Sequence, residues 1–207
     1  MLKIFEKLFI KKRFILKWSN SNIYNIPDHK GYDIKVLKTI NQFDDYIAKD
    51  HLFLKRNRLF LKKLERFEWR LFTIKNEEKK ELAGYYFAIL GTNKPVKHDN
   101  FIIMQNEALL CNAFIYSKYR KKGLYKTLIK FSHTYLLKEY FRNIYTIVEK
   151  SNTASLKANL ASGLAFDKTN YLVKFFGINV LSLFYKQNKL YLILSGRIFC
   201  NKKIYQA

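Results

Sequence analysis

The first 18 residues combine apolar and basic positions at a spacing that fits an amphipathic helix. In MLKIFEKLFIKKRFILKW, Ile4 and Leu8 lie four residues apart, as do Phe5 and Phe9, and lysines follow them at similar intervals. A basic helix of this kind can lie on a membrane surface. A helix or strand that packs on the protein's own domain, or a loose terminus, is the interpretation that we favour for these residues.

The polar segment that follows predicts a linker. Residues 19–31, SNSNIYNIPDHKG, contain turn residues such as Pro27 and Gly31 and lack apolar periodicity. We therefore expect a basic N-terminal extension and linker over residues 1–31, followed by a single domain over residues 32–207.

Residues 32–116 alternate between patterns typical of strands and of helices. Short alternating or continuously apolar runs indicate strands, and apolar positions three and four apart indicate helices. The pattern predicts, in order, a strand, two helices, a β-hairpin and a central strand, over residues 32–38, 39–50, 52–66, 70–76 with 81–90, and 106–116.

The remainder of the chain continues this alternation. The pattern predicts a helix, a strand and a short helix over residues 124–139, 143–150 and 152–163, followed by three strands after residue 164. Helices interleaved with strands in this way are typical of an α/β protein with a mixed sheet.

Composition excludes several classes of protein. With 49% apolar residues the chain can bury an ordinary core, so it is not an intrinsically disordered polypeptide. Its 2 cysteines, Cys111 and Cys200, are far apart, and its 4 histidines share no helical face, which argues against a disulfide framework and a metal site. No apolar run approaches the length of a membrane span, and no signal peptide is recognisable, so we expect a cytoplasmic protein.

The net charge of +23 favours anionic partners. Phosphates, nucleic acid and an acidic membrane surface are all attracted by such a field, which does not choose among them. A composition rich in Lys, Asn, Ile, Phe and Tyr, typical of an AT-rich genome, explains part of the charge without any partner.

The stretch SKYRKKGLYKTLIKF, residues 117–131, places several cations before a predicted helix. The first N–H groups of a helix have no internal partner and attract anions, and a glycine lets the backbone approach a phosphate closely. Arg120, Lys121, Lys122 and Gly123 therefore form a candidate anion cradle. A solvated surface turn and a nucleic-acid patch are the alternatives, and neither a P-loop nor a G-x-G-x-x-G motif is present.

The same stretch resembles a motif of the GNAT superfamily of acyl-CoA-dependent N-acyltransferases. That family's sequence [RQ]-x-x-G-x-[GA] loops around the coenzyme A pyrophosphate at a helix N-terminus, and Arg120, Gly123 and Tyr125 are the matching residues. The resemblance also implies coenzyme contacts for Lys121, Lys122 and Leu124, which belong to the same loop and helix start.

A second signature of the family matches downstream. It runs from Asn152 to a Gly-Leu pair at Gly163 and Leu164, where the family usually has Gly-Phe. The order of elements agrees from about residue 32 to residue 176, so the resemblance implies a GNAT-like, mostly antiparallel central sheet with extra C-terminal strands.

Two further positions depart from the family pattern. Tyr125 replaces a small residue of the loop. Asn159 stands where many members carry the tyrosine that protonates the departing thiolate, so this proton must come from Tyr125, from Tyr171 or from solvent, or else the protein binds acyl-CoA without turnover. Asn152 and Asn159 are otherwise implied as part of the coenzyme site.

The implied reaction is direct attack of an amine on the thioester of acetyl-CoA, with no metal. The backbone at Phe114 and Ile115 would stabilise the acyl oxygen. Glu107 is the first candidate for the general base and Glu149 the second, although either residue can equally be an ordinary strand-end glutamate.

The resemblance implies a small or sugar-linked amine as acceptor, and the basic composition favours an anionic one, such as a nucleotide-linked amino sugar. The alternative from another class is a nucleic-acid-binding module, because 33 Phe and Tyr residues are interleaved with Lys and Arg. No RNA-binding signature supports that alternative. A peripheral contact of residues 1–18 with the inner face of the membrane is a further expectation.

Overall fold

The computed structural model describes residues 8–18, 29–64, 68–175, 178–187 and 189–194. The strands are β1 (Leu8–Trp18), β2 (Tyr32–Leu37), β3 (Trp69–Asn76), β4 (Glu81–Leu90), β5 (Val96–His98), β6 (Phe101–Ile103), β7 (Glu107–Ile115), β8 (Asn143–Glu149), β9 (Leu164–Phe175), β10 (Ile178–Lys186) and β11 (Lys189–Leu194). The helices are α1 (Asp45–Ala48), α2 (His51–Leu64), α3 (Leu124–Lys138) and α4 (Thr153–Ala161).

Nine strands form one sheet in the order β11-β10-β9-β1-β8-β7-β4-β3-β2. Neighbouring strands are antiparallel except for β7 and β8, which are parallel. The predicted fold class, an α/β protein with a mostly antiparallel sheet and extra C-terminal strands, is confirmed.

Two layers of apolar side chains lie on opposite faces of the sheet. α3 contributes Leu124, Leu128 and Leu136 to one layer. α2 contributes Phe53 and Leu64 to the other. Each fully buried side chain of this size stabilises the fold by about 1.5–3 kcal/mol, so the two helices are held mainly by their apolar faces.

The N-terminal residues form a central strand over residues 8–18, so the interpretation of a strand that packs on the protein's own domain is confirmed there. β1 pairs with β8 on one side and with β9 on the other. Ile15 and Leu16 point to opposite faces, and both are fully buried, because helices or further chain cover both faces of this part of the sheet. The basic extension predicted over residues 1–31 is therefore not confirmed, and residues 1–7 and 19–28 lie outside the described ranges.

A cation is buried in this central strand with its hydrogen-bonding capacity used. Arg13 Nε and Nη2 donate to Asn170 Oδ1 at 2.8 and 2.6 Å. Its Nη1 donates to Asp99 Oδ2 at 3.3 Å, and its Nη2 donates to the Asp99 carbonyl at 3.1 Å. A buried charge is tolerated only when it is paired in this way, so the basic residues of the N-terminus do not prevent its insertion into the sheet.

The other predicted elements are confirmed with two differences. Residues 39–50 form a short 3₁₀ turn, Ile40–Gln42, followed by α1, and not one continuous helix. The predicted loop around Pro95 contains the small hairpin β5–β6. Its turn residues Asp99 and Asn100 have φ of 48° and 61°, which these residue types adopt more readily than most others. Within the described ranges, no helix is both long and apolar enough to cross a membrane.

α3 is joined to β1 through a buried histidine. The His133 ring is fully buried and stacks on Trp18, with ring centroids 4.3 Å apart and an interplanar angle of 19°. Burial lowers the pKa of His133 to about 3. In the unfolded chain a histidine has a pKa of about 6.5, so below that pH the unfolded state gains a proton that the folded state does not.

We therefore expect His133 to destabilise the fold progressively as the pH falls from about 6.5 to about 3. Between pH 8 and pH 5 the wild type should lose about 2 kcal/mol more free energy of unfolding than His133→Phe, which keeps the stacking. Urea unfolding at the two pH values measures this difference, with the exposed His51→Phe as the control. Equal losses in the wild type and His133→Phe would contradict the assignment.

Candidate functional site

The parallel strands β7 and β8 separate halfway along their length, and a cavity opens between them. Their pairing extends from Glu107↔Asn143 to Leu110↔Thr146. Beyond that point β7 continues beside β4 and β8 continues beside β1. The cavity that results has a volume of about 640 Å³, which is within the range of small-molecule sites.

Most of the predicted site residues line this cavity. They come from the end of β7, the following loop, the first turn of α3, the end of β8 and the start of α4. The predicted residues in the lining are Phe114, Ile115, Arg120, Lys121, Gly123, Leu124, Tyr125, Glu149 and Asn152.

A β-bulge shapes the β7 side of the cavity. Cys111 pairs with Phe87 and Phe114 pairs with Tyr85, so two residues of β7 stand opposite Tyr86. The first of them, Asn112, has φ of 53°, in the left-handed region. A bulge leaves backbone groups without ladder partners. N–H groups near Phe114 are therefore candidates to hold an acyl oxygen.

Glycine at position 84 permits this arrangement. A Cβ on Gly84 of β4 would lie 2.8 Å from the Phe114 carbonyl oxygen and 2.3 Å from Ile115 Cδ1. Contacts this short do not occur, so any other residue would push β7 away at the position where the bulge ends.

The basic loop ends at the N-terminus of α3, as predicted. Gly123 has φ of 76° and occupies the N-cap position, and Lys121 has φ of 61°. The Arg120 Nε–H donates to the Ile115 carbonyl at 3.1 Å, which fixes the loop to the end of β7. On its other side the loop meets His29, whose Nε2 lies 2.5 Å from Thr127 Oγ1 in the first turn of α3.

The cations of the loop have no carboxylate partner. Arg120, Lys121, Lys122 and the nearby Lys126 are exposed, and none forms an ion pair within the described part of the chain. Their charge adds to the partial positive charge of the helix N-terminus. The loop can therefore bind a phosphate or pyrophosphate group at the mouth of the cavity. Lys122 belongs to this loop but does not line the cavity.

Tyr125 and Asn159 meet on the α4 side of the cavity. The Asn159 side chain is fully buried, and its Nδ2–H donates to the Tyr125 hydroxyl at 3.1 Å. Ser155 Oγ lies 3.1 Å from the same hydroxyl. Burial raises the pKa of Tyr125, so the phenol is protonated at neutral pH. Asn159, which cannot act as an acid, thus positions the Tyr125 hydroxyl, which can.

The two candidate bases differ in their position. Glu149 lines the cavity and accepts a hydrogen bond from Lys11 Nζ at 2.6 Å. Glu107 lies at the opposite end of β7 and outside the cavity lining. Its carboxylate accepts from Met104 N–H at 3.0 Å, from Asn143 Nδ2 at 3.1 Å and from the Tyr145 hydroxyl at 3.2 Å. This geometry explains Glu107 as a structural acceptor that joins β7 to β8.

Several residues of the site were not predicted from the sequence. Tyr86, Thr146 and Ser155 line the cavity, and the Tyr86 hydroxyl lies 3.0 Å from Thr146 Oγ1. For Tyr86 and Thr146 the available sequence signal was a hydroxyl-bearing residue at an inward-facing strand position. Such a residue can line a cavity or lie in the core, so the signal does not identify the site. Lys11 could not be found because the N-terminal residues were not placed in the sheet.

Cys111 lines the cavity and is partly buried. Burial raises the pKa of Cys111, so its thiol is protonated and poorly nucleophilic. In the described part of the chain no group of three or more His, Cys, Asp or Glu side chains is placed to hold a metal ion.

The fold and the site together define a class of protein. It is a mixed α/β sheet whose separated parallel strands enclose a cavity, with an anion-binding loop at its mouth. No family model matches the chain, and no curated protein matches it.

Solved structures with this fold are found at low sequence identity. A GCN5-related N-acetyltransferase from Sphaerobacter thermophilus aligns with a TM-score of 0.56 at 12% identity, over 86% of this chain and 57% of that one. A GNAT-family acetyltransferase from Colwellia psychrerythraea aligns with a TM-score of 0.53 at 16% identity, over 81% and 56%. A fungal GCN5-related glucosamine N-acetyltransferase region aligns with a TM-score of 0.57 at 12% identity, over 84% and 22%.

The chain therefore has the fold of the GCN5-related N-acetyltransferases. It spans a little over half the length of the bacterial structures that it matches. The resemblance that the two motifs indicated is confirmed at the level of the fold.

We expect the bulge in β7 to depend on the left-handed backbone of Asn112. Asn112→Val and Asn112→Gly both remove the hydrogen bond from Asn112 Nδ2 to Asn57 Oδ1, at 2.6 Å. Only valine is strained at φ of 53°, so Asn112→Val should be less stable than Asn112→Gly by about 2 kcal/mol. Urea unfolding of the two variants measures this difference, and equal stabilities would show that the bulge does not require this conformation.

Proposed function

We propose that the protein is an N-acyltransferase that transfers an acyl group, most simply acetyl, from acyl-CoA to a primary amine. The observation that carries the proposal is the unpaired basic loop at the N-terminus of α3, which faces the cavity between β7 and β8. Coenzyme A carries a pyrophosphate, and a helix N-terminus with adjacent cations is suited to bind that group.

The thioester would extend from the loop into the cavity beside the bulge. Backbone N–H groups near Phe114 and Ile115 would donate hydrogen bonds to the carbonyl oxygen and stabilise the negative charge that develops on it. The amine nitrogen attacks the carbonyl carbon, the new C–N bond forms and the C–S bond breaks. No covalent intermediate with the protein is needed.

Two proton transfers complete the reaction. Glu149 is the residue we propose as the base, because it is the one of the two candidate bases that lines the cavity. It takes the proton of the attacking amine, directly or through water. The Tyr125 phenol is the residue we propose as the acid, and its proton neutralises the leaving thiolate.

The proposed acceptor is a small or sugar-linked amine, including a nucleotide-linked amino sugar. One structural neighbour is described as a glucosamine N-acetyltransferase, which supports an amino sugar as the first acceptor to test. Thiol release from acetyl-CoA in the presence of amino sugars, amino acids, polyamines and peptides would identify the acceptor.

Substitution of Gly123 tests the coenzyme site. Gly123→Asp places a carboxylate in the proposed anion cradle, and we expect it to weaken acetyl-CoA binding at least about 100-fold by calorimetry. Gly31→Asp is the matched control, because Gly31 has a similar φ of 80° and nothing within 4 Å of its Cβ position. Retained binding by Gly123→Asp would contradict the proposal, and binding without thiol release for any amine would indicate a non-catalytic relative.

Substitution of Tyr125 tests the acid. Tyr125→Phe should lower kcat on the order of 100-fold and leave the KM for acetyl-CoA nearly unchanged, because a general acid acts in the transition state. Since burial raises the pKa of Tyr125, the wild-type kcat should not decline between pH 8 and pH 10 through loss of this proton. Tyr171→Phe is the control, since Tyr171 does not line the cavity. A fall in kcat for Tyr171→Phe and not for Tyr125→Phe would refute the assignment.

A further inference from the structure

The outer face of α2 is a surface that the proposed reaction does not use. Leu52 and Leu59 lie seven residues apart on this face and are 50% and 73% exposed. The helix buries its opposite face through Phe53, Leu61 and Leu64. Exposed leucines at this spacing form an apolar stripe that the domain itself does not cover.

Cations surround this stripe, and the helix contains no acidic residue. The five basic residues of α2, all exposed, are Lys55, Arg56, Arg58, Lys62 and Lys63. None of them forms an ion pair within the described ranges. The acid that precedes the helix, Asp50, accepts hydrogen bonds from the Phe53 N–H at 2.8 Å and the Tyr116 hydroxyl at 2.6 Å. The positive charge of the face is therefore not neutralised locally.

An apolar stripe between rows of cations is complementary to an anionic phospholipid surface. Lysine and arginine are attracted to the headgroups, and leucines can enter the boundary with the acyl chains. Nucleic acid would satisfy the charges but not the leucines, and base stacking requires exposed aromatic rings. Phe60, the aromatic residue nearest to this face, is only partly exposed, and its ring packs on Trp69 with centroids 5.5 Å apart.

This surface adjoins the cavity at Phe114. The Arg56 guanidinium lies over the Phe114 ring, 4.0 Å from its centroid, and Phe114 lines the cavity at the bulge. With the coenzyme at the N-terminus of α3, an acceptor would enter on another side, and the Phe114 wall beside Arg56 is the entrance that the proposal uses. A membrane that contacts α2 would therefore lie close to this entrance.

We propose that the exposed face of α2 docks on an anionic phospholipid membrane and presents the cavity to an amine acceptor anchored in that membrane. The second part of this proposal rests on the proposed N-acyltransferase function. It is distinct from the membrane contact expected of residues 1–18, of which residues 8–18 lie within the sheet.

Vesicle sedimentation tests the docking. The probes are vesicles of phosphatidylcholine alone and vesicles that also contain phosphatidylglycerol. The wild type should bind the second kind, more weakly as salt is raised, and should not bind the first. Each lysine near such a surface contributes roughly fivefold to partitioning, so Lys55→Glu with Lys62→Glu should weaken binding by about 25-fold or more. Leu52→Ser with Leu59→Ser should weaken it at least about tenfold.

The control distinguishes a specific face from net charge. Lys79→Glu with Lys80→Glu makes the same change in charge at an exposed turn between β3 and β4, and it should bind as the wild type does. Equal losses in the two charge variants would overturn the proposal, as would undiminished vesicle binding by the leucine variant. Binding of a single-stranded RNA homopolymer that needs the lysines but not the leucines, without vesicle binding, would assign the face to nucleic acid.

Acetyl-CoA calorimetry on the same variants separates the two proposals. The α2 variants should bind acetyl-CoA as the wild type does, because their substituted residues do not line the cavity. If the wild type binds acetyl-CoA but does not bind the anionic vesicles, the membrane proposal alone is overturned. Vesicle binding in a protein that does not bind acetyl-CoA would overturn the proposed function and leave the docking surface intact.

Discussion

The site depends on the end of hydrogen bonding between two parallel strands. β7 and β8 pair as far as Leu110↔Thr146 and then separate, so their remaining backbone groups need other partners. β4 and β1 cannot supply those partners, because they pair with the outer edges of β7 and β8, so the inner edges beyond this point face the cavity without a strand partner in the described sheet. The position of the N-terminal strand is also part of the site, because without β1 the end of β8 would lose a hydrogen-bonding neighbour and Glu149 would lose Lys11.

Three residues with backbone conformations that most residue types avoid border the resulting cavity. Asn112 at the bulge, Lys121 in the basic loop and Gly123 at the start of α3 all have positive φ. Such conformations cost free energy and persist only where the surroundings enforce them. Here the buried ends of β7 and α3 enforce them, and the outcome is a bulge and a helix N-terminus that face the same space.

The sequence predicted the parts of the site that depend on local chemistry. The glycine before an amphipathic helix and the asparagine before α4 have local roles, so the sequence indicated that Gly123 and Asn152 precede helices, as the structure shows. The position of β1 was not predicted, because a strand buried on both faces has no alternation and its apolar residues fit a helical spacing equally well. The contact between Tyr125 and Asn159 joins two helices, 34 residues apart in sequence, and depends on their packing. Glu107 was predicted because the acceptor site in the resembled fold lies along that edge of the strand, and in the structure Glu107 lies outside the cavity lining.

The net charge of +23 acquires distinct meanings when the residues are placed in the fold. Arg13 is a structural cation, buried and paired with Asn170 and Asp99. The cations of the loop before α3 stand at a helix N-terminus, where an anionic group gains from both the charges and the backbone. The cations of α2 surround exposed leucines. A phosphate bound to these cations would leave the leucines exposed to water. The composition counts these three groups of cations alike, but their burial and their neighbouring side chains differ. The basic residues of the chain therefore fall into at least three structurally different groups, and only one of them lies at the proposed coenzyme site.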